Sequence, residues 1–112
     1  MKEIKAFIKP SRVNYVVEAL KAAGFVSMTL SKGEGTGAHE QIDAKLDLEF
    51  LITDSLVVKL ELVCNNEESE KVMHLIFENA RSSGSGDGII YVTNIEDAFY
   101  IKTGKSLKRY DF

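Results

Sequence analysis

Residues 80 to 92 read ARSSGSGDGIIYV, with glycines at 84, 86 and 88 set among serines and one aspartate. Glycine admits backbone angles that other residues avoid, and successive N–H groups turned inward form an anion-binding concavity without any charged side chain. A phosphate or a carboxylate is the chemistry that such a cradle serves. The same composition also describes a flexible connection between two elements. The stretch alone leaves both readings open.

Other chemically suggestive letters are decoys. Residues 102 to 106 read KTGKS, the end of a phosphate-binding P-loop, yet the glycine needed five residues before Gly104 falls on Phe99. The Lys-Thr-Gly of serine β-lactamases is present, but no Ser-x-x-Lys nucleophile accompanies it. His39 and His74 are 35 residues apart with no partner at metal-ligand spacing, so no metal site is expected. The carboxylates show no arrangement that marks an acid and base pair. Cys64 closes an apolar run and reads as a small buried hydrophobe.

The elements that must position the glycine-rich stretch follow from periodicity. KEIKAFIK at 2 to 9 alternates, with Ile4, Ala6 and Ile8 on one face and Lys5, Phe7 and Lys9 on the other, the period of a half-buried strand. Pro10 stops it, and Ser11 is placed to cap a helix carrying Val13, Val16, Val17, Leu20 and Ala23 inward before Gly24 ends it. FVSMTLSK at 25 to 32 and SLVVKLELVC at 55 to 64 read as the next strands. NNEESEKVMHLIFENA supplies Asn caps, an acidic first turn and an inward row of Val72, Met73, Leu75, Ile76 and Ala80. IIYVTN reads as a fourth strand, IEDAF as a turn or helical piece, and YIKT as a candidate final strand. The order βαββαβ predicts an α+β, ferredoxin-like sandwich, an antiparallel sheet with two helices on one face. The other face, with Phe7, Val57 and Val63 on it, needs cover, and a homo-oligomer provides it.

Between the second and third strands lie about twenty residues that open with Gly33, Gly35 and Gly37, long enough to predict a functional or projecting loop. The 112 residues suit one domain. A formal charge of −3 argues against nucleic acid as a partner, because Lys and Arg supply most phosphate affinity. One cysteine and an N-terminus without an apolar core predict a cytoplasmic protein.

Four passages together resemble the PII signalling proteins of nitrogen regulation. They are MKEIKAFIKP, EALKAAGFVSMTLSKGEGTG, VVKLELVC and, most specifically, ARSSGSGDGIIYVTNIEDAFYIKTGK. The resemblance covers nearly the whole chain and implies a single PII-like domain over 1–112 that assembles as a homotrimer. It implies no enzymatic activity and no required cofactor, but an adenine nucleotide (AMP, ADP, ATP or a cyclic form) as ligand in the clefts between subunits. Residues 81–89 then correspond to the B-loop, where Gly86, Asp87 and Gly88 match the phosphate-holding backbone. Met28 and Thr29 match the adenine-side strand, Gly35 and Gly37 the base of the T-loop, and Phe7 and Val63 the base pocket. The T-loop at about 36–54, with Ala38, His39, Glu40, Gln41, Lys45 and Glu49, would dock on a partner such as a membrane transporter, an enzyme or a regulator.

The departures from the family pattern carry equal information. The lysine after Gly-Asp-Gly is Ile89 here, and the paired arginines are Tyr100 and Lys102, so three phosphate-binding cations become one. At roughly 1.5–3 kcal/mol per charge-assisted contact, that loss predicts triphosphate binding weaker by about 10²- to 10⁴-fold. His39 and Val57 stand where the family's 2-oxoglutarate site needs glutamine and lysine, which argues against sensing of that ligand. AHEQIDAKLDLEFLITDS contains no tyrosine, so tyrosine uridylylation of the loop is excluded.

Overall fold

A computed structural model of the chain describes residues 1–36, 55–84 and 87–108. Six principal elements follow in the order β1 (Lys2–Ile8), α1 (Val13–Ala22), β2 (Thr29–Gly35), β3 (Ser55–Cys64), α2 (Ser69–Ala80) and β4 (Ile90–Asn94). The four strands form one sheet in the order β2-β3-β1-β4. Every pairing is antiparallel. This is the ferredoxin-like βαββαβ architecture expected from the sequence.

Strand β1 lies in the middle and its alternation sorts the sheet into two faces. Ile4 stands opposite Leu62 on β3 and Val92 on β4, and Ala6 opposite Leu60 and Ile90. On this face Ile4, Ala6, Ile8, Leu60, Leu62 and Cys64 are buried under Val16 and Leu20 of α1 and Val72 and Ile76 of α2. Burial pushes the Cys64 thiol up, with the Glu68 carboxylate adding to it, so Cys64 is a packed apolar residue as its sequence context suggests. The opposite face carries Phe7, Val57 and Val63 with Glu3, Lys5, Lys59 and Glu61 between them. Lys5 lies 3.9 Å from Glu3, and Lys59 3.6 Å from Glu61. The second face is therefore a charge-laced surface with apolar points.

The helix ends differ from the sequence expectation in their chemistry. Ser11 does not cap α1: Pro10–Arg12 form a short 3-10 turn that feeds the helix, with no side-chain cap. Proline's fixed φ suits that first turn. Likewise the Asn65 and Asn66 side chains cap nothing; Asn66–Glu68 form a 3-10 turn, and the Ser69 hydroxyl donates to the Asn66 carbonyl at 2.9 Å. The stop at Gly24 holds, and its φ of 96° is the left-handed value glycine permits. There the Gly24 N–H donates to the Lys21 carbonyl and the Phe25 N–H to that of Leu20, the paired bonds of a Schellman end.

That end also explains why β2 starts at Thr29 rather than Phe25. The Phe25 amide is committed to the helix and its ring to the core, so residues 25–28 cannot join the ladder. Met73, placed inward by periodicity, is 38% exposed. It sits on the flank of α2, one position beyond the Val72–Ile76 row that faces the sheet. IEDAF forms no helix and YIKT no strand: residues 101–103 are a turn, tied by a single bridge between Phe99 and Ser106. The turn closes through the Tyr100 N–H to the Lys105 carbonyl and the Gly104 N–H to that of Tyr100. Strand β4 is thus the last strand among the described residues. The T-loop expected at 36–54 falls, apart from Thr36, outside them.

Replacing Leu20 or Ile76 with alanine is expected to destabilise the chain by about 2–5 kcal/mol, because each is fully buried between helix and sheet. Urea unfolding followed by circular dichroism measures it. Met73→Ala is expected to cost less than about 1 kcal/mol in the same assay.

Candidate ligand-binding site

The glycine-rich stretch leaves α2 at Arg81, whose extended ψ of 146° breaks the helix. The helix end is held from the other side of the layer, where Arg12 Nε donates to the Asn79 carbonyl at 3.0 Å. At the far end of the stretch, the Phe7 N–H donates to the Ile89 carbonyl at 3.0 Å, so pairing with β1 begins just before β4 proper. The segment is therefore anchored to a helix on one side and to the central strand on the other.

Gly88 lies against β1 so closely that a Cβ built there would overlap the Phe7 carbonyl. Its glycine is required by backbone packing, whatever binds nearby. Gly84 has no such constraint, since a Cβ there would meet the Lys9 ammonium only at 3.5 Å.

Asp87 turns its carboxylate inward upon the same segment. Oδ2 accepts from the Ser82 N–H at 2.8 Å and Oδ1 from the Ser82 hydroxyl at 2.7 Å. The Lys9 ammonium stands 3.4 Å from Oδ1. Burial by itself would push the Asp87 carboxyl up, but the two Ser82 hydrogen bonds and the Lys9 charge outweigh it and hold it below the usual carboxylate range. Beneath the segment is a cavity of about 170 Å³, lined by Phe7, Lys9, Phe77, Arg81, Asp87 and Gly88 among others. A wider groove of about 490 Å³ continues along α2 past Met73, His74 and Phe77 to Gly88 and Ile90.

Of the residues the sequence singled out, Phe7, Asp87 and Gly88 come together at this cavity. Val63 does not join them. It stands opposite Glu3, four residues along the sheet from the Phe7–Lys59 pair, a separation of about 13 Å at ~3.3 Å per residue. Met28 precedes β2 and packs against the core, while Thr29 opens β2 and shares a row with Glu61, Lys5 and Tyr91. Three strand spacings, about 14 Å, separate β2 from β4. Gly35 closes β2 opposite Ser55. Lys102 occupies the exposed turn after β4 and is not among the residues that line the cavity. Gly37, Gly86 and the loop residues Ala38, His39, Glu40, Gln41, Lys45 and Glu49 lie outside the described residues.

Sequence reasoning missed Lys9, Ser82, Phe77 and Arg81. The register of β1 with β4 pairs Ala6 with Ile90, and carrying it three residues further sets Lys9 opposite Asp87. That signal exists only once the two strands are known to pair. Among the described residues no group of three or more His, Cys, Asp or Glu is placed to hold a metal ion.

The described residues thus make a ferredoxin-like domain whose glycine-rich segment leaves α2 and leads into β4. The family profile "Nitrogen regulatory protein P-II" matches residues 1–105, and the chain belongs to that family of signalling proteins, which are regulators and not enzymes. It is 34% identical over 107 residues to a nitrogen regulatory protein P-II of Bradyrhizobium diazoefficiens, covering 95% of this chain and 96% of the relative. Identity to nitrogen regulatory protein P-II 2 of Methanothermobacter thermautotrophicus is 33% over 110 residues, 97% and 96% of the two chains. The corresponding protein of Pasteurella multocida is 31% identical over 106 residues, 94% and 95% of the two chains.

Gly88→Ala is expected to destabilise the fold by about 1–3 kcal/mol, since a methyl group there meets backbone that cannot move aside. Gly84→Ala is expected to change stability by less than about 0.5 kcal/mol. Parallel denaturant titrations of the two variants check the contrast.

Proposed function

We propose that this chain is a homotrimeric, cytoplasmic PII-type regulator of nitrogen metabolism that binds an adenine nucleotide or a related small anion between subunits. Its residues 36–54 would dock as a T-loop on a protein partner, a transporter, an enzyme or a regulator. The observation that carries this reading is the separation of the expected ligand residues on one sheet. Phe7 sits on β1 with Asp87 and Gly88 beside it on the β4 side, while Thr29 opens β2 and Met28 just precedes it, two to three strand spacings or about 10–14 Å across the sheet at ~4.8 Å per strand. One chain presents the two sets on separate parts of its sheet; a cleft formed with a second copy would bring one set from each chain together. The half-buried Phe7, Val57 and Val63 on the second sheet face supply apolar points for such a contact.

The ligand preferred by this cleft carries less charge than ATP. Ile89 replaces one family cation and Tyr100 another, Lys102 alone remains, and Lys9 is already neutralised by Asp87 at 3.4 Å. The same losses favour a second reading, a trimeric interaction module with a vestigial cleft and no ligand. No helix among the described residues is long and apolar enough to cross a membrane, so a transporter would be met as a partner rather than entered as a subunit.

Light scattering is expected to give three times the chain mass of 12.5 kDa. Calorimetric titration is expected to rank AMP, ADP or a cyclic adenine nucleotide at or above ATP, with Lys102→Ala weakening the best of them about tenfold or more. Gly86→Val is expected to abolish binding while leaving the trimer folded. A stable monomer at micromolar concentration overturns the cleft. Absence of binding at millimolar nucleotide, with Gly86→Val silent, selects the vestigial reading.

A further inference from the structure

Three side chains, Lys9, Ser82 and Asp87, meet at the two ends of the glycine-rich segment. Both Asp87 oxygens are engaged within the chain, by the Ser82 N–H at 2.8 Å and the Ser82 hydroxyl at 2.7 Å. Lys9, from the end of β1, donates to Ser82 Oγ at 3.2 Å and lies 3.4 Å from Asp87 Oδ1. Its side chain is only 17% exposed and that of Asp87 33%, so the pair is more sheltered than an ordinary surface ion pair. Hydrogen bonds to ionised groups are about twice as strong as neutral ones, and here two of them and the Lys9 charge converge on one carboxylate.

We propose that Lys9, Ser82 and Asp87 form a charged latch that positions the glycine-rich segment. Asp87 closes the segment by binding back to its first residues, and Lys9 ties the closed segment to the central strand. The latch has a second consequence if the segment binds an anion, a step that rests on the function proposed above. A bare carboxylate beside an anion site repels the ligand, and Lys9 cancels that charge without touching the ligand itself. Lys9 is thus a positioning residue that acts through Asp87.

The charged groups facing Asp87 are Lys9 from β1 and Arg81, which lines the same cavity from the end of α2 and pairs with Glu78 at 3.7 Å. Because the Asp87 carboxyl is held below its ordinary value, its contribution is fully present once pH exceeds about 3.9 and is lost as pH falls through the lowered value. The latch is closed at neutral pH and opens in acid.

Amide hydrogen exchange on the full-length protein reads the latch directly. The Ser82 N–H of the wild type is expected to be protected at neutral pH and to lose that protection in acid, before the Ile4 N–H in the middle of β1 does. Lys9→Met and Asp87→Asn are each expected to speed Ser82 exchange by about tenfold or more, with Ile4 protection retained, while Lys9→Arg keeps the wild-type rate within about threefold. With ADP as probe, Lys9→Met is expected to weaken binding about tenfold, and adding Asp87→Asn to it to recover most of that loss, because the uncancelled charge is then gone. An unprotected Ser82 amide in the wild type, or Lys9→Arg behaving as Lys9→Met, overturns the latch. Exchange results as expected, with neither ADP nor AMP, a cyclic adenine nucleotide or ATP binding the wild type at millimolar concentration, uphold the latch and overturn the nucleotide reading instead. The acid profile needs no variant, so a Lys9→Met chain that fails to fold leaves the test intact.

Discussion

The constraint on which the rest of the molecule depends is the pairing of β1 on both edges. It lies between β3 and β4, and each of its residues is assigned a face by the pleat. The even positions Ile4, Ala6 and Ile8 go under the helices, where they are buried with Leu60, Leu62 and Cys64. The odd positions Glu3, Lys5 and Phe7 go to the other face, where they meet Val63, Glu61 and Lys59. A slip by one residue would exchange charges for core. The same register brings the end of β1 to the glycine-rich segment, so core packing and site geometry are set by one ladder.

The site inherits its form from this arrangement. Gly88 is glycine because β1 passes directly beneath it, and Ile89 already pairs with Phe7 before β4 begins. Asp87 closes the segment on Ser82, and Lys9 compensates the charge that closure brings inward. Backbone approach and a neutralised carboxylate are features of a place where an anion can sit close to main chain. The sheet then puts the other expected ligand residues, Met28 and Thr29, on the far edge. Under the function proposed above, binding and assembly are a single problem, because the two half-sites would meet only across copies.

The fold was legible in the sequence because its signals are local. Period-two alternation in KEIKAFIK and SLVVKLELVC, period 3.6 in both helices and the stop at Gly24 depend only on which neighbours share a face. Where local signals compete, they misled. Ser11 looks like a cap, but Pro10 three residues before the first full turn draws the chain into a 3-10 entry. Phe25 looks like strand, but its amide completes the end of α1. YIKT has strand composition, yet it pairs with no strand among the described residues and its residues 101–103 form a turn.

By itself, then, the sequence determined the α+β class, the order of the elements, the buried rows and the family likeness, all properties of residues close together in the chain or of its order. Tertiary structure decided which glycine is structurally required, which side chains support the site and which expected residues can meet. Lys9 and Ser82 are 73 positions apart, and nothing in the letters IKP announces an aspartate seventy-eight residues later. Their contact follows from the antiparallel pairing of β1 with β4, a long-range choice made by the collective burial of the core rather than by any local propensity. The separation of Met28 and Thr29 from Asp87 follows from strand order for the same reason: neighbours in a sheet are settled by the packed whole.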